Sequence, residues 1–110
     1  MRVNQRDIVE VNFQLPNGKF KPHPALFISN QNVLDDEDIF YAAMISTKEY
    51  NDEFTFKLTN EMLTKPLFKS SFVKCQLLQS YTTNEVISKI SAVKIAAFEQ
   101  IKQTIFSTVF

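Results

Sequence analysis

Apolar and polar side chains alternate near the start of the chain, and the pattern then changes twice. In Asp7–Gln14 every second residue from Val9 onward is apolar, which is typical of a β-strand with one buried face. Leu15–Pro24 contains three of the four prolines and the only glycine, which predicts a loop. Ala25–Ser29 is again mostly apolar and predicts a second strand. The N-terminal region is therefore expected to be strand, loop and strand.

Further along the chain, three more segments have the pattern of strands: Ile39–Ile45, Phe54–Thr59 and Ser70–Ser80. The first is a continuous apolar run, as expected for a strand buried on both faces. The other two alternate. In the last of them, alternation places Lys74 and Gln76 on one face and Cys75 and Leu77 on the other.

The segments between these strands are polar or short. Gln31–Asp38 contains four acidic residues and predicts a solvated loop, and Lys48–Glu53 predicts another loop. Thr59–Leu63 has the pattern of a capped single helical turn, which Pro66 prevents from continuing. Glu85–Ile90 is compatible with a turn or a brief strand.

The last part of the chain changes from a period of two to spacings of three and four. With Ser91 as N-cap, a helix would place five apolar residues on one face: Ile95, Phe98, Ile101, Ile105 and Val109. Five short strands followed by one amphipathic helix predict a mainly β protein. The economical architecture is a strongly bent antiparallel sheet, closed like a barrel and plugged by the helix. We expect residues 1–110 to form one domain.

Composition narrows the possible functions. The formal net charge is zero, so binding to nucleic acid would require a local basic patch. A single glycine excludes glycine-rich phosphate-binding loops. One cysteine, Cys75, cannot form an internal disulfide, and one histidine with one cysteine makes a poor metal site, so we expect no metal and no cofactor. Without a signal peptide or a membrane-spanning run, the sequence indicates a soluble cytoplasmic protein.

Four stretches together resemble a known family. RDIVEVNF followed by a polar loop and HPALFIS resembles the GDIVxVDF…RPALVIS opening of MazF/PemK-type toxins, which include the Kid toxin. AAMIST resembles the strand of that family that ends in a hydroxyl residue, and VKCQLLQS resembles its VRCDQxRT stretch. The C-terminal helix falls where the family has one, so the resemblance spans nearly the whole chain.

The resemblance implies both a fold and an activity. The fold is a small SH3-like antiparallel barrel of the CcdB/MazF/PemK type, and the assembly is a homodimer with a cognate antitoxin protein as partner. The activity is metal-independent endoribonuclease cleavage of single-stranded RNA through a 2′,3′-cyclic phosphate. That reaction requires a proton acceptor, a proton donor for the leaving oxygen, and positive charge beside the phosphate.

The chain departs from the family pattern at the positions that would carry this chemistry. His23 replaces the arginine before Pro-Ala, Lys74 replaces the arginine of VRC, and Gln76 replaces the aspartate that follows it. Arg6 replaces the glycine before Asp-Ile-Val, and the hydroxyl position is kept as Ser46. We therefore expect His23, Ser46 and Lys74 to be the catalytic residues.

Each candidate also has an ordinary structural explanation. His23 would otherwise be a loop histidine, Lys74 a solvated strand lysine and Ser46 the end of a turn. The expected RNA-binding residues are Lys19, Lys21, Thr47, Lys48 and Gln76, although surface lysines often serve only solubility.

Two other functions remain open for this sequence. Loss of both arginines and the aspartate favours a catalytically degenerate MazF-like module that binds RNA or a protein partner. A gyrase poison similar to CcdB would have the same fold, but the tryptophan of its C-terminal tail has no counterpart here.

Overall fold

A computed structural model describes residues 2–48 and 53–110. The strands of this part of the chain are β1 Asp7–Gln14, β2 Phe20–Phe27, β3 Ile39–Ser46, β4 Thr55–Leu58, β5 Ser71–Thr82 and β6 Val86–Ala92. The helices are α1 Gln31–Glu37 and α2 Ile95–Val109, with short 3-10 helices at Asn60–Met62 and Thr83–Glu85. All strands pair antiparallel in one sheet of order β4-β5-β3-β2-β1-β6.

The two edges of this sheet meet and close it into a small barrel. Leu63, which follows β4, forms a β-bridge with Val93, which follows β6. Hydrogen bonds of 2.9 Å from Thr64 N–H to the Ala92 carbonyl and 2.7 Å from Lys94 N–H to the Met62 carbonyl complete the contact. These bonds satisfy backbone groups that an open sheet would leave unpaired. The predicted mainly β fold with a C-terminal helix is confirmed.

Apolar side chains are buried on both faces of the central strands. One cluster lies beneath α2 and includes Ile8, Ile45, Val73 and Cys75. The cluster on the opposite face is built largely from these residues: Val9, Val11, Phe27, Phe40, Met44 and Tyr81. β3 contributes residues to both clusters and is therefore buried on both faces. This burial explains why its sequence is a continuous apolar run.

The β1–β2 hairpin differs from its prediction because β2 begins five residues earlier. In β2, the residues Phe20–Leu26 pair with β1, whereas only Ala25–Phe27 pair with β3. Pro22 and Pro24 therefore lie where β2 has no partner on the β3 side. An edge position tolerates a residue without an N–H group. His23 is thus a strand residue and not a loop residue.

The predicted acidic loop is wrong as well, because Gln31–Glu37 forms α1. The Asn30 side chain caps the helix by accepting a hydrogen bond of 3.2 Å from Val33 N–H. At the other end Asp38 adopts a left-handed conformation with φ 54°, which ends the helix. Leu34 packs on the second apolar cluster. The predicted loop Lys48–Glu53 lies outside the described residues, apart from its two ends.

The C-terminal region contains a sixth strand that the sequence indicated only as a turn or brief strand. Ser91 belongs to this strand and is not the helix N-cap, because β6 pairs it with Ile8 and its hydroxyl exchanges hydrogen bonds with the Lys65 backbone at 2.7 and 3.1 Å. The N-cap of α2 is Lys94. Phe98, Ile101 and Ile105 face the core as predicted, whereas Ile95 and Val109 are exposed.

Candidate active site

The candidate site lies where β2 and β3 separate. Their pairing ends at Ala25 opposite Met44. One more step of the same register would place Pro24 opposite Ile45, but proline has no N–H to donate to the Ile45 carbonyl. The Ile45 backbone nevertheless acts on the His23 imidazole, whose pKa it raises. The sequence His23-Pro24 thus ends the ladder and leaves the histidine at the opening.

This opening is a cleft of about 300 Å³ that we call the His23 cleft. Its lining consists of Phe13, His23, Met44, Ile45, Ser46, Lys74, Leu77 and Gln79. The three predicted catalytic residues, His23, Ser46 and Lys74, therefore share one cleft although they are far apart in sequence. The order β5-β3-β2 brings them together, since each of the three strands contributes one of them.

Register explains why these side chains share a face. Met44 on β3 is opposite both Ala25 on β2 and Lys74 on β5. Residues directly opposite in an antiparallel pair project to the same side, as do residues two positions apart along a strand. His23, two residues before Ala25, and Ser46, two residues after Met44, consequently project to the side that carries Lys74.

His23 is half-buried against the apolar wall of the cleft. Its ring centroid lies 5.3 Å from that of Phe13, with a tilt of 37° between the planes. Burial lowers the pKa of His23 below its ordinary value, and the positive charge of Lys21 lowers it further, against an opposing effect of the hydrogen bond to Ile45. The neutral form of the imidazole is therefore favoured.

Lys74 and Ser46 supply the polar groups on the other side of the cleft. The Lys74 side chain is 4% exposed and stands between Met44 and Thr55 of the neighbouring strands. The Ser46 hydroxyl oxygen accepts a hydrogen bond of 3.0 Å from Lys48 N–H, as the turn explanation anticipated. Its O–H hydrogen is free to be donated into the cleft, so the turn and the functional role are compatible.

None of the predicted RNA-binding residues lines the His23 cleft. Lys19, Lys21, Thr47 and Lys48 are exposed on the hairpin and at the end of β3. Gln76 is exposed but absent from the cleft lining, because β5 bulges there: the partner of Ala43 is Leu78, whereas that of Met44 is Lys74.

The bulge also overturns the predicted faces of β5. Leu77, expected to share the buried face of Cys75, is 49% exposed and lines the His23 cleft, whereas Leu78 packs against the cluster that contains Cys75. Gln79, whose side chain accepts a hydrogen bond of 2.9 Å from the Tyr81 hydroxyl, is a polar lining residue that the sequence did not indicate. Strict alternation cannot reveal a bulge of this kind.

Burial raises the pKa of the Cys75 thiol to about 11, in agreement with a core cysteine. No three His, Cys, Asp or Glu side chains among the described residues form a metal-binding group. Within residues 2–48 and 53–110, no helix has the length and hydropathy needed to cross a membrane.

Solved structures show which class of protein has this fold. An endoribonuclease in complex with its cognate antitoxin from a mycobacterial species has 12% identity and a TM-score of 0.81, over 98% of this chain and 95% of that chain. A chain of a MazE–MazF structure from Deinococcus radiodurans has 14% identity and a TM-score of 0.75, over 99% of this chain and 96% of that chain. The Mycobacterium tuberculosis toxin MazF-mt6 has 17% identity and a TM-score of 0.72, over 93% and 94%. The fold is therefore that of the MazF toxins.

Sequence comparison identifies the family itself. No curated protein matches the chain. The model of the PemK-like, MazF-like toxins of type II toxin–antitoxin systems, however, matches residues 4–108. The chain belongs to this family, and the predicted resemblance to MazF/PemK toxins is confirmed.

Proposed function

We propose that this chain is the toxin of a toxin–antitoxin pair and cleaves single-stranded RNA. The observation that carries the proposal is the His23 cleft, in which an imidazole, an ammonium group and a hydroxyl from three neighbouring strands project to one side. Membership of a toxin family and the endoribonucleases of similar fold support it.

In this proposal, His23 is the general base. A neutral imidazole has one N–H donor and one nitrogen that accepts a proton. That second nitrogen would remove the proton of a ribose 2′-hydroxyl. Its lowered pKa keeps this nitrogen unprotonated at neutral pH.

Lys74 and Ser46 would hold the phosphate. As the 2′-oxygen attacks phosphorus and the bond to the 5′-oxygen breaks, negative charge develops on the phosphate oxygens. The Lys74 ammonium would neutralise this charge and the Ser46 hydroxyl would donate one hydrogen bond. Water at the open side of the cleft would protonate the leaving oxygen, which yields a 2′,3′-cyclic phosphate and a 5′-hydroxyl end.

We propose that the reaction requires no metal ion. The lining of the His23 cleft contains one imidazole and no carboxylate, whereas Mg²⁺ and Ca²⁺ prefer several oxygen ligands. The charge that a metal would supply is provided here by Lys74.

The surrounding residues would guide the RNA. Lys19 and Lys21 on the hairpin, with Lys48 beside Ser46, would attract the phosphate backbone, and Thr47 would add a hydroxyl contact. Gln76 would contact RNA from the exposed bulge of β5 and not from within the cleft.

The direct test is cleavage of a long single-stranded RNA by the purified protein in excess EDTA. We expect fragments with 2′,3′-cyclic phosphate and 5′-hydroxyl ends, detected by RNA ligation that requires each type of end. Intact RNA, under conditions in which a MazF toxin of the same family cuts the same substrate, would refute the proposal.

We also propose an antitoxin partner, a homodimer and a cytoplasmic location. The similar mycobacterial structure is a complex with a cognate antitoxin.

Phe106 and Phe110 at the end of α2 are 67% and 88% exposed, and an apolar patch of this kind is typical of an interface. Light scattering coupled to size exclusion should give twice the mass of the chain; a monomer at micromolar concentration would contradict the dimer.

A second candidate function is binding without cleavage. Neither Arg2 nor Arg6 lines the cleft, and a lysine lacks the two-pronged geometry with which arginine holds a phosphate. If this candidate is correct, the wild type and a His23→Ala variant will bind RNA or a protein partner equally, and neither will cut RNA.

A further inference from the structure

Charge is unevenly distributed along a chain whose formal net charge is zero. Residues 57–74 include four lysines and a single acidic residue, Glu61. This segment runs from the end of β4 to the first part of β5 and ends at Lys74 of the His23 cleft. It is the kind of local basic region that nucleic-acid binding requires in a protein without net positive charge.

Strand register continues the face of the His23 cleft into this basic segment. Phe72 on β5 is directly opposite Ser46 on β3 on one side and Lys57 on β4 on the other. Residues directly opposite share a face, so Ser46, Phe72 and Lys57 form a row across three strands. At about 4.8 Å per strand, the Cα atoms of Ser46 and Lys57 are roughly 10 Å apart.

The composition of this row suits a nucleic-acid strand. Phe72, between Ser46 and Lys57, is half-buried, so part of this residue is accessible to solvent. On the opposite face of the same strands, Ile45, Val73 and Phe56 pack in the apolar core. The accessible face thus offers a hydroxyl, an aromatic ring and an ammonium group in succession.

The row leads into a second cleft, of about 320 Å³, which we call the Phe68 cleft. Its lining consists of Lys57, Leu58, Thr59, Asn60, Leu63, Leu67, Phe68, Lys69 and Ser70. It contains two lysines and no carboxylate. Phe68 is 108% exposed, so its ring gains no stabilisation from packing within the chain. Aromatic rings combined with lysines are the means by which proteins bind single-stranded nucleic acid without base pairing.

We propose that the Phe68 cleft is a second subsite for single-stranded RNA, occupied by nucleotides next to the one whose phosphate lies in the His23 cleft. Phe68 stacks on a base, and Lys57 and Lys69 bind backbone phosphates. The inference rests on the proposed function, because that function defines the path of the RNA, but it concerns binding and not the chemical step.

The test is binding of a 2′-O-methyl RNA of about ten nucleotides, which cannot be cleaved because its 2′-oxygen is blocked, measured by fluorescence anisotropy. Phe68→Ala should weaken binding at least about 5-fold, since stacking on one aromatic ring contributes roughly 1–3 kcal/mol. Lys57→Ala and Lys69→Ala should each reduce the slope of log K against log salt by about 0.7, as expected for one lost phosphate contact.

The chain offers a matched control on α2. Ile95 and Lys102 are an exposed apolar residue and an exposed lysine that line neither the His23 cleft nor the Phe68 cleft. Ile95→Ala and Lys102→Ala should leave RNA affinity unchanged within about 2-fold.

The outcomes separate this inference from the proposed catalysis. Equal affinity of wild type and Phe68→Ala for the longer RNA overturns the subsite, even if the wild type cleaves RNA. Weaker binding by Phe68→Ala supports the subsite, even if no cleavage is found. An equal loss in the Ile95→Ala control would also overturn it, because the effect would then not belong to the Phe68 cleft.

Discussion

The pair His23-Pro24 sets the local geometry of the candidate site. Pro24 has no N–H group to donate to β3, and the pairing of β2 with β3 ends at the preceding pair, Ala25 and Met44. His23 therefore lies at the opening of the sheet, where it provides a side chain that ordinarily titrates near neutral pH. The apolar contact with Phe13 and the charge of Lys21 then favour the neutral form.

The lowered pKa of His23 predicts the pH dependence of cleavage. A general base must be unprotonated, so the rate should be constant near neutral pH and fall with decreasing pH, with a midpoint below the ordinary value of about 6.5. The measurement is kcat/KM on a defined RNA between pH 4.5 and 8. A midpoint clearly above 6.5 would contradict the assignment.

The same pKa shift predicts a contribution to stability. Because the folded-state pKa is lower than the unfolded one, the unfolded chain binds more protons below about pH 6.5, and stability falls as the pH decreases through that window. Urea unfolding at pH 7.5 and 5 should show a smaller loss for His23→Gln than for wild type. Identical losses in the two proteins would show that His23 is not the group involved.

Lys74 permits a test of charge without loss of packing. Lys74→Met keeps a linear apolar stem in a nearly closed site but removes the ammonium group. Cleavage should fall by about 10²–10³-fold, the usual effect of losing one donor to a developing oxyanion. Lys102→Met, on the exposed side of α2, is the control and should retain full activity. Similar rates for both variants would remove Lys74 from the mechanism.

Arg6 occupies a backbone position that favours glycine. Its φ is 81°, and its guanidinium donates a hydrogen bond of 3.0 Å to the Val93 carbonyl. Arg6→Ala should destabilise the fold by about 1 kcal/mol, because the strain remains and the hydrogen bond is lost. Arg6→Gly should be more stable than Arg6→Ala by roughly 0.5–1 kcal/mol. Thermal unfolding of both variants checks the order, and the reverse order would contradict this account.

Among the secondary-structure elements, long periodic segments were predictable from sequence and local exceptions were not. β1 has its predicted bounds, and β3 extends one residue beyond its prediction. The sequence predicted a loop in place of the helix α1 because the segment is rich in acidic residues. In the structure, the Asn30 cap and the packing of Leu34 stabilise a helix there. The bulge in β5 was missed because it depends on which residues of β3 are opposite, and this information is absent from any single segment.

The helix α2 stabilises the barrel through one face. Ile101 is fully buried, whereas Ile95 is 63% exposed. Ile101→Ala should lower the free energy of unfolding by about 2–5 kcal/mol, the usual cost of a cavity in a packed core. Ile95→Ala should change it by less than about 0.5 kcal/mol. Chemical denaturation of both variants tests this, and equal effects would show that the helix is docked differently.

At the scale of the whole molecule, the reactivity of the single cysteine measures how often the core opens. Cys75 is fully buried, and burial raises its pKa to about 11. A disulfide reagent at pH 8 should therefore label the native protein only as fast as the barrel opens, and should label it at once in denaturant. Complete labelling of native protein within seconds would contradict a closed core.

The shared location of His23, Ser46 and Lys74 was predictable only in part. Their chemical types and the resemblance to MazF/PemK toxins indicated a site, but only the order β5-β3-β2 brings them into one cleft. The Phe68 cleft was not foreseen, because Phe68 and Lys57 lie on different segments with unremarkable local patterns. Their proximity depends on how the chain returns from β4 to β5.

The most direct test of the account compares RNA cleavage by the wild type and His23→Gln, a variant that preserves size and polarity but cannot accept a proton as a base. With one long single-stranded RNA in EDTA, the wild type should produce 2′,3′-cyclic phosphate ends, and His23→Gln should do so at least about 100-fold more slowly. Equal rates for the two proteins, or uncut RNA with the wild type, would contradict a cleft built around His23 for RNA cleavage.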